Sequence, residues 1–281
     1  MKIKSEVITS RQNPSVRLAA SLSEKKYRDE YKLFRTDGIK LAQEVFSRGI
    51  IPEAVLLRES SVSRVMSLVG DTPECDATVI ADSTFDKISD EKSPEGIICI
   101  IKHLDNLRKI ATINKCDTFS QEIKGERIML LESIRDPGNI GTVIRSASAL
   151  GCDRLVLSDD CADVYNPKTV RASMGAILGL KIDRVDSLCR TIELLREQGR
   201  SVYAAALDHT AVGLDALSIS GSDCFVVGNE GHGLSKQVLE ACNKSVFIPI
   251  TSGAESLNAA IAAAIILWEQ KRQVEKFKEE L

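Results

Sequence analysis

The stretch "FVVGNEGHGLS", residues 225–235, runs a short apolar segment into a loop with three glycines. Phe225, Val226 and Val227 are the aromatic and β-branched types that fill strands. Gly228, Gly231 and Gly233 follow. A strand entering a glycine-rich loop usually announces a phosphate site. Here the order G-x-x-G-x-G reverses the dinucleotide fingerprint G-x-G-x-x-G. Glu230 also sits mid-loop, where a pyrophosphate would be repelled. Gly228 lets backbone approach a ligand closely or take positive φ. Glu230 can accept hydrogen bonds from the loop's own N–H groups, or it can face a cationic ligand. His232 reads as an exposed loop residue rather than an acid or base.

Outward from this loop, apolar runs alternate with helical patterns. Strands are expected at Arg127–Leu131, Arg154–Leu157, Val202–Ala206, Cys224–Val227 and Ser245–Ile248. Helices are expected at Asn139–Leu150, Ser187–Gln198, Ser235–Cys242 and Ser256–Lys278. Such alternation implies an α/β domain on a mainly parallel sheet. Ligands of such sheets lie beyond the carboxyl ends of the strands, which is where the glycine loop falls. Upstream, residues 104–125 are polar and aperiodic and read as a linker between a domain over 1–103 and one over 126–281. The first domain shows helices at Pro14–Ser23, Ile39–Ser47 and Ser61–Leu68. Its strands are expected at Ala54–Leu57, Thr78–Ile80 and Gly96–Ile101.

Composition bounds the rest. At 281 residues, 43% hydrophobic and net charge −3, the chain is an ordinary two-domain protein. The N-terminus has no apolar signal core, and the most apolar segment is too short to span a bilayer. Eight cysteines without a C-x-x-C pair and three scattered histidines argue against a metal site. Reduced thiols fit a cytoplasmic location. Residues 1–50 carry 11 Lys/Arg against 6 Asp/Glu, so the remainder carries −8. A basic N-terminal region on an acidic remainder suggests a polyanion-binding module, with Lys25, Lys26 and Arg28 as phosphate contacts.

Two more segments could carry chemistry. In "DPGNIGTVIRSASALG", 136–151, Asn139 reads as a helix N-cap. Ile140, Val143, Ile144, Ala147 and Leu150 make one buried stripe. Arg145 lies about 140° from Ile140 around the helix, either as a surface arginine or projecting into a cleft. In "IPITSGAESLNAAIAAAIILWEQ", 248–270, a strand ends and a helix apolar on two sides begins. Such a helix is central in a fold or packed on another chain. Ser256 and Asn258 are the polar groups of its start; capping accounts for Ser256 more easily than for Asn258.

Together "NIGTVIRSASALG", "VVGNEGHGLS" and "IPITSGAESLNAAIAAAI", with "NPKTVRASMGAI" (166–177), resemble the SpoU branch of the SPOUT RNA methyltransferases. Residues 10–44 resemble the ribosomal-protein-L30e-like substrate-binding domain often found in front. The resemblance implies a parallel α/β SPOUT domain with a C-terminal trefoil knot, a topology that connection rules alone would reject. It implies a homodimer with sites at the subunit interface. It also implies S-adenosyl-L-methionine as cofactor, a sulfonium cation that suits a glycine loop carrying Glu230.

Carried over residue by residue, Asn139, Arg145, Glu230, Ser256 and Asn258 match the family's polar motif positions. Cofactor contacts are implied at Leu207, Gly228, Asn229, Glu230, Ile248 and Ile250, with Leu257 packing on the adenosine. The implied reaction is methyl transfer to a ribose 2′-OH in RNA. Arg145 is the family's proposed base; an arginine stays charged far above neutral pH, so orienting RNA and stabilising a developing alkoxide is the safer role. The extra N-terminal domain favours 23S ribosomal RNA over transfer RNA. A transfer-RNA enzyme, a non-catalytic RNA-binding protein and a nucleotide-dependent oxidoreductase are the rivals.

Overall fold

A computed structural model describes residues 1–110, 122–208, 211–251 and 256–279. Parts of the expected linker (111–121) and of the third motif (252–255) lie outside the described residues. The chain forms two compact units. One joins Met1–Leu104 with Asp163–Leu178; the other joins Asp105–Ala162 with Gly179–Leu281.

The N-terminal unit is a five-stranded mixed sheet. Its strands are β1 (Lys2–Ile8), β2 (Leu33–Asp37), β3 (Ala54–Arg58), β4 (Asp76–Ile80) and β5 (Ile97–Lys102), in the order β1-β4-β3-β5-β2. β5, the "IICII" run, is buried on both faces and pairs antiparallel with β2 and β3. Val16, Ala19 and Leu22 of the first helix pack on Leu56, Ile98 and Ile100. Two strands were not expected from the sequence. β2 reads as polar, yet Arg35 is buried and saturated: it donates to the Ala19 and Ile88 carbonyls at 2.8 and 2.5 Å and pairs with Asp90 at 2.7 Å. β1 opens the chain and pairs parallel with β4. Residues 163–178, which include the whole stretch 166–177 read with the SPOUT motifs, belong to this unit. There the Tyr165 ring stacks on His103 at 4.0 Å and meets Phe34 at a tilt, with ring centroids 4.7 Å apart.

The second unit carries an eight-stranded, wholly parallel sheet. Its strands are β6 (Leu107–Ile110), β7 (Ile128–Leu131), β8 (Arg154–Ser158), β9 (Lys181–Val185), β10 (Val202–Ala205), β11 (Val212–Gly213), β12 (Cys224–Val227) and β13 (Lys244–Phe247). Their order is β11-β13-β10-β12-β7-β8-β9-β6. Alternate residues Ile128, Leu130, Val202, Ala204, Cys224 and Val226 face a core completed by Leu188, Ile192, Leu195 and Val238 of two helices. The helices Pro137–Ala149 and Ala259–Glu279 pack on each other, and small and branched residues of both, among them Val143, Ala147, Ala259 and Ala263, are buried.

β6 falls inside the stretch read as linker, and β9 was also unexpected. Both look polar because charges pair across neighbouring strands. Asp183 of β9 is 0% exposed; Arg154 of β8 bonds it from one side and Arg108 of β6 from the other, at 3.0 Å. Glu126 pairs in turn with Arg154 at 2.5 Å. A buried acid with two cationic partners avoids the penalty of an unpaired charge. Among the described residues no helix is long and apolar enough to cross a membrane.

Candidate active site

The carboxyl ends of β10, β12 and β13 open into a cleft of about 500 Å³. All the sequence-expected cofactor positions line it: Leu207, Gly228, Asn229, Glu230, Ile248, Ile250 and Leu257, and Ser256 joins them. Parallel strands place their following loops on one edge, so three stretches far apart in sequence converge here. Leu207 is 81% exposed at the mouth. A large apolar side chain held in solvent beside a cleft offers contact area to a bound ring.

The glycine loop is held by its own asparagine. Asn229 and Gly233 exchange backbone bonds at 3.2 and 2.9 Å, with Gly233 at φ +67°. Asn229 Oδ1 accepts from the N–H groups of Gly231 and His232 at 2.8 and 3.3 Å, and its Nδ2 donates to the Ser133 carbonyl at 2.8 Å. The Asn229 side chain is therefore spent on the loop, and Asn229 also lines the cleft. Gly228 is required by packing: a Cβ there would lie 2.6 Å from the Gly233 carbonyl atoms.

With the loop N–H groups taken by Asn229, the Glu230 carboxylate points to Asn139, whose Nδ2 donates to it. Asn139 Oδ1 accepts from Asn258 Nδ2 at 3.2 Å. Asn258 Oδ1 accepts from the N–H groups of Ala260 and Ile261 at 2.9 and 3.3 Å. The amide orientations follow from this chain. The helix start needs an acceptor, so Asn258 turns its oxygen inward and its nitrogen toward Asn139; Asn139 then presents its nitrogen to Glu230.

Two capping expectations are corrected by these bonds. Asp136 caps the Pro137–Ala149 helix, accepting from Asn139 N at 2.9 Å, with Pro137 at the first helical position. Asn139 sits inside the first turn, which frees its side chain for the chain described. Likewise Asn258, not Ser256, caps the last helix, which starts at Ala259. The signal that could have found Asp136 is the Asp-Pro order itself, a capping residue before a proline at N1.

Arg145 lies on the exposed stripe of its helix with Thr142 and Ala149, opposite Ile140, Val143, Ile144 and Ala147. Among the described residues it makes no hydrogen bond or ion pair, and it is not in the cleft wall. Of the expected RNA contacts, Lys25 and Lys26 are exposed. Arg28 is not available: it is 2% exposed, donates to the Leu22 and Ser23 carbonyls at 2.8 and 2.7 Å, and pairs with Asp163 at 2.6 Å. Its position on the helix Lys25–Tyr31 turns it inward while its neighbours face solvent. Among the described residues no cluster of His, Cys, Asp or Glu could hold a metal ion.

Burial pushes the thiols of Cys99, Cys152, Cys224 and Cys242 up to about 12. None can supply a nucleophile or base near neutral pH.

Comparison with known proteins places this geometry. Residues 126–268 match the SpoU rRNA methylase family model, and residues 13–99 match that of an MRM3-like substrate-binding domain. The chain is 31% identical over 262 residues to the 23S rRNA (guanosine(2553)-2'-O)-methyltransferase RlmP of Bacillus subtilis, covering 93% of this chain and 97% of that protein. It is 28% identical over 214 residues to the 23S rRNA (guanosine-2'-O-)-methyltransferase RlmB of Coxiella burnetii, covering 75% and 84%. A crystal structure of an AdoMet-bound rRNA methyltransferase from Sinorhizobium meliloti superposes with a TM-score of 0.77 at 27% identity, over 96% of this chain and 98% of that one.

Proposed function

The chain belongs to the SpoU rRNA methylase family, and from that premise we propose that it methylates a ribose 2′-hydroxyl of 23S ribosomal RNA, with S-adenosyl-L-methionine as methyl donor. The observation that carries this reading is the ordered bridge Asn258–Asn139–Glu230 at the rim of the strand-end cleft. It brings the three motif segments to one place and leaves a carboxylate there.

The cleft suits the donor. Its described lining has apolar walls at Ile248 and Leu257, backbone at Gly228, one carboxylate at Glu230, and no lysine or arginine. That set matches an adenosine carrying a positive sulfonium and would not hold a pyrophosphate. The donor supplies an activated methyl group. The chain's own residues have to align the acceptor hydroxyl and manage its proton. Arg145, free of internal partners among the described residues, orients the RNA phosphate and ribose and stabilises the alkoxide as it develops. Ser256, on the cleft wall, and Asn258 position the same groups.

Residues 1–103 present the RNA, with Lys25 and Lys26 on phosphates, and residues 126–281 carry out the transfer; β6 already belongs to the second sheet. The protein acts in the cytoplasm as a homodimer. Ile261 and Trp268 support this: seven positions apart on one face of the last helix, they are 52% and 55% exposed. We also propose, at the C-terminal strand ends, the trefoil knot that the family resemblance implies.

The test is transfer of labelled methyl from S-adenosylmethionine to 23S ribosomal and transfer RNA transcripts, followed by mapping of 2′-O-methyl ribose. Label in 23S RNA is the expected result. Label in transfer RNA alone would move the substrate class. RNA binding with no transfer and no thermal shift on adding S-adenosylmethionine would leave a non-catalytic binder.

A further inference from the structure

β7 and β12 lie side by side, and their ladder continues one residue past β7: Glu132 N donates to the Val227 carbonyl at 2.9 Å. The next residue, Ser133, leaves the strand in the left-handed region, at φ +55°. Few non-glycine residues stand there, and the conformation persists only where surroundings impose it. Three bonds impose it here. Ser133 N donates to Ser158 Oγ at 2.9 Å, Ser133 Oγ donates to Asp160 Oδ2 at 2.6 Å, and the Ser133 carbonyl accepts from Asn229 Nδ2 at 2.8 Å. Asp160 is anchored further by Ser158 at 2.5 Å and Arg135 at 2.7 Å. Burial opposes its ionisation, but these donors outweigh that and hold the carboxyl below the ordinary range.

From these bonds we infer that Ser133 is a positioning residue for the cofactor loop: its left-handed backbone aims its carbonyl at Asn229 and so fixes the loop from Gly228 to Gly233. Asn229 has one donor group and one acceptor oxygen. The donor is fixed on Ser133, so the oxygen is turned to the N–H groups of Gly231 and His232. If the Ser133 carbonyl turned away, the amide would lose that anchor and the loop bonds with it. This rests on the reading of the cleft as the S-adenosylmethionine site.

The experiment compares Ser133→Val, Ser133→Gly and Asn229→Asp. Valine is opposed to the left-handed region; glycine accepts it freely. Aspartate keeps an oxygen for the loop but sets an acceptor against the Ser133 carbonyl. Two readouts are taken: amide hydrogen exchange at Gly231 and His232 in the free protein, and KM for S-adenosylmethionine against kcat. Ser133→Val and Asn229→Asp should speed exchange at both amides and raise KM about tenfold with kcat little changed. Ser133→Gly should keep both near wild type, although it removes the hydroxyl bonded to Asp160. Wild-type exchange and KM in Asn229→Asp, or damage in Ser133→Gly equal to that in Ser133→Val, would overturn the inference. If Ser133→Val does not fold, Asn229→Asp alone decides it. If the wild-type protein transfers no methyl group, the cofactor reading fails, while the exchange data still decide the role of Ser133.

Discussion

Asn139 donates its side-chain amide to the Glu230 carboxylate across 91 positions of sequence. One bond thus ties the first turn of the Pro137–Ala149 helix to the glycine loop. Glu230 is exposed, and the loop's own N–H groups are held by Asn229, so its charge is available to a ligand. We predict that Glu230→Gln weakens S-adenosylmethionine binding about fivefold, the size of a partly screened charge pair near a surface. S-Adenosylhomocysteine, which lacks the sulfonium charge, should bind the variant as it binds the wild type. Calorimetry with both ligands checks this; equal losses for the two would remove the electrostatic role.

The two neighbouring loop glycines should behave oppositely. A Cβ at Gly228 would meet the Gly233 carbonyl atoms at 2.6 Å and Leu234 N at 2.8 Å, all backbone. A Cβ at Gly231 would meet only Asn229 Oδ1, at 3.4 Å. Gly228→Ala must push the loop aside, with a cost of about 1–3 kcal/mol as for overpacking, and should weaken the cofactor tenfold or so. Gly231→Ala should bind nearly normally. Affinity and melting temperature measured together separate the loop effect from global unfolding.

Much of this was legible from sequence because pattern and environment agreed. "CFVV" is a strand buried on both faces, and the stripe Ile140, Val143, Ile144, Ala147 is a helix face; each reads the same alone as in the fold. β9 and β6 were not legible. "KIDRV" looks like a solvated stretch, and only Arg154 and Arg108, distant in the chain, make Asp183 an interior residue. The same holds for β2, whose Arg35 finds carbonyls 16 and 53 positions away. The cleft residues were legible through three motifs in order. The division of work among them was not. Which asparagine caps, which holds the loop and which reaches Glu230 depends on donor and acceptor counts at contacts that no local window contains. Arg28 failed for a related reason: charge counting cannot distinguish the inward side of a seven-residue helix from its solvated side.

Arg28 therefore gives a third prediction. Removing it leaves Asp163 without its buried partner and two carbonyls without a donor. Arg28→Ala should destabilise the protein by about 3 kcal/mol, the range for breaking a buried pair. Lys25→Ala and Lys26→Ala should leave stability within about 0.5 kcal/mol, as exposed changes do. Each should instead reduce the salt slope of RNA binding by about one unit or less. Urea unfolding and RNA titrations at several salt concentrations check both halves. A full-strength salt slope in the double lysine variant would remove these residues from the RNA surface.

Arg145 separates stability from turnover most sharply. It stands on the exposed stripe of its helix and holds no partner among the described residues, so its loss should cost under about 1 kcal/mol of stability. It is the residue proposed above to orient the RNA, and it stands on the same helix whose first turn supplies Asn139. Arg145→Ala should therefore bind S-adenosylmethionine nearly as the wild type does and lose methyl transfer by on the order of 10²-fold or more. Arg145→Lys should not restore it, because a point charge cannot reproduce a planar fork on phosphate and ribose. The informative assay is single-turnover transfer with RNA and cofactor both saturating, since that removes binding from the rate. A near-wild-type single-turnover rate in Arg145→Ala would make it a surface arginine, and the proton and alkoxide would then fall to Glu230, Ser256 and Asn258 at the cleft rim.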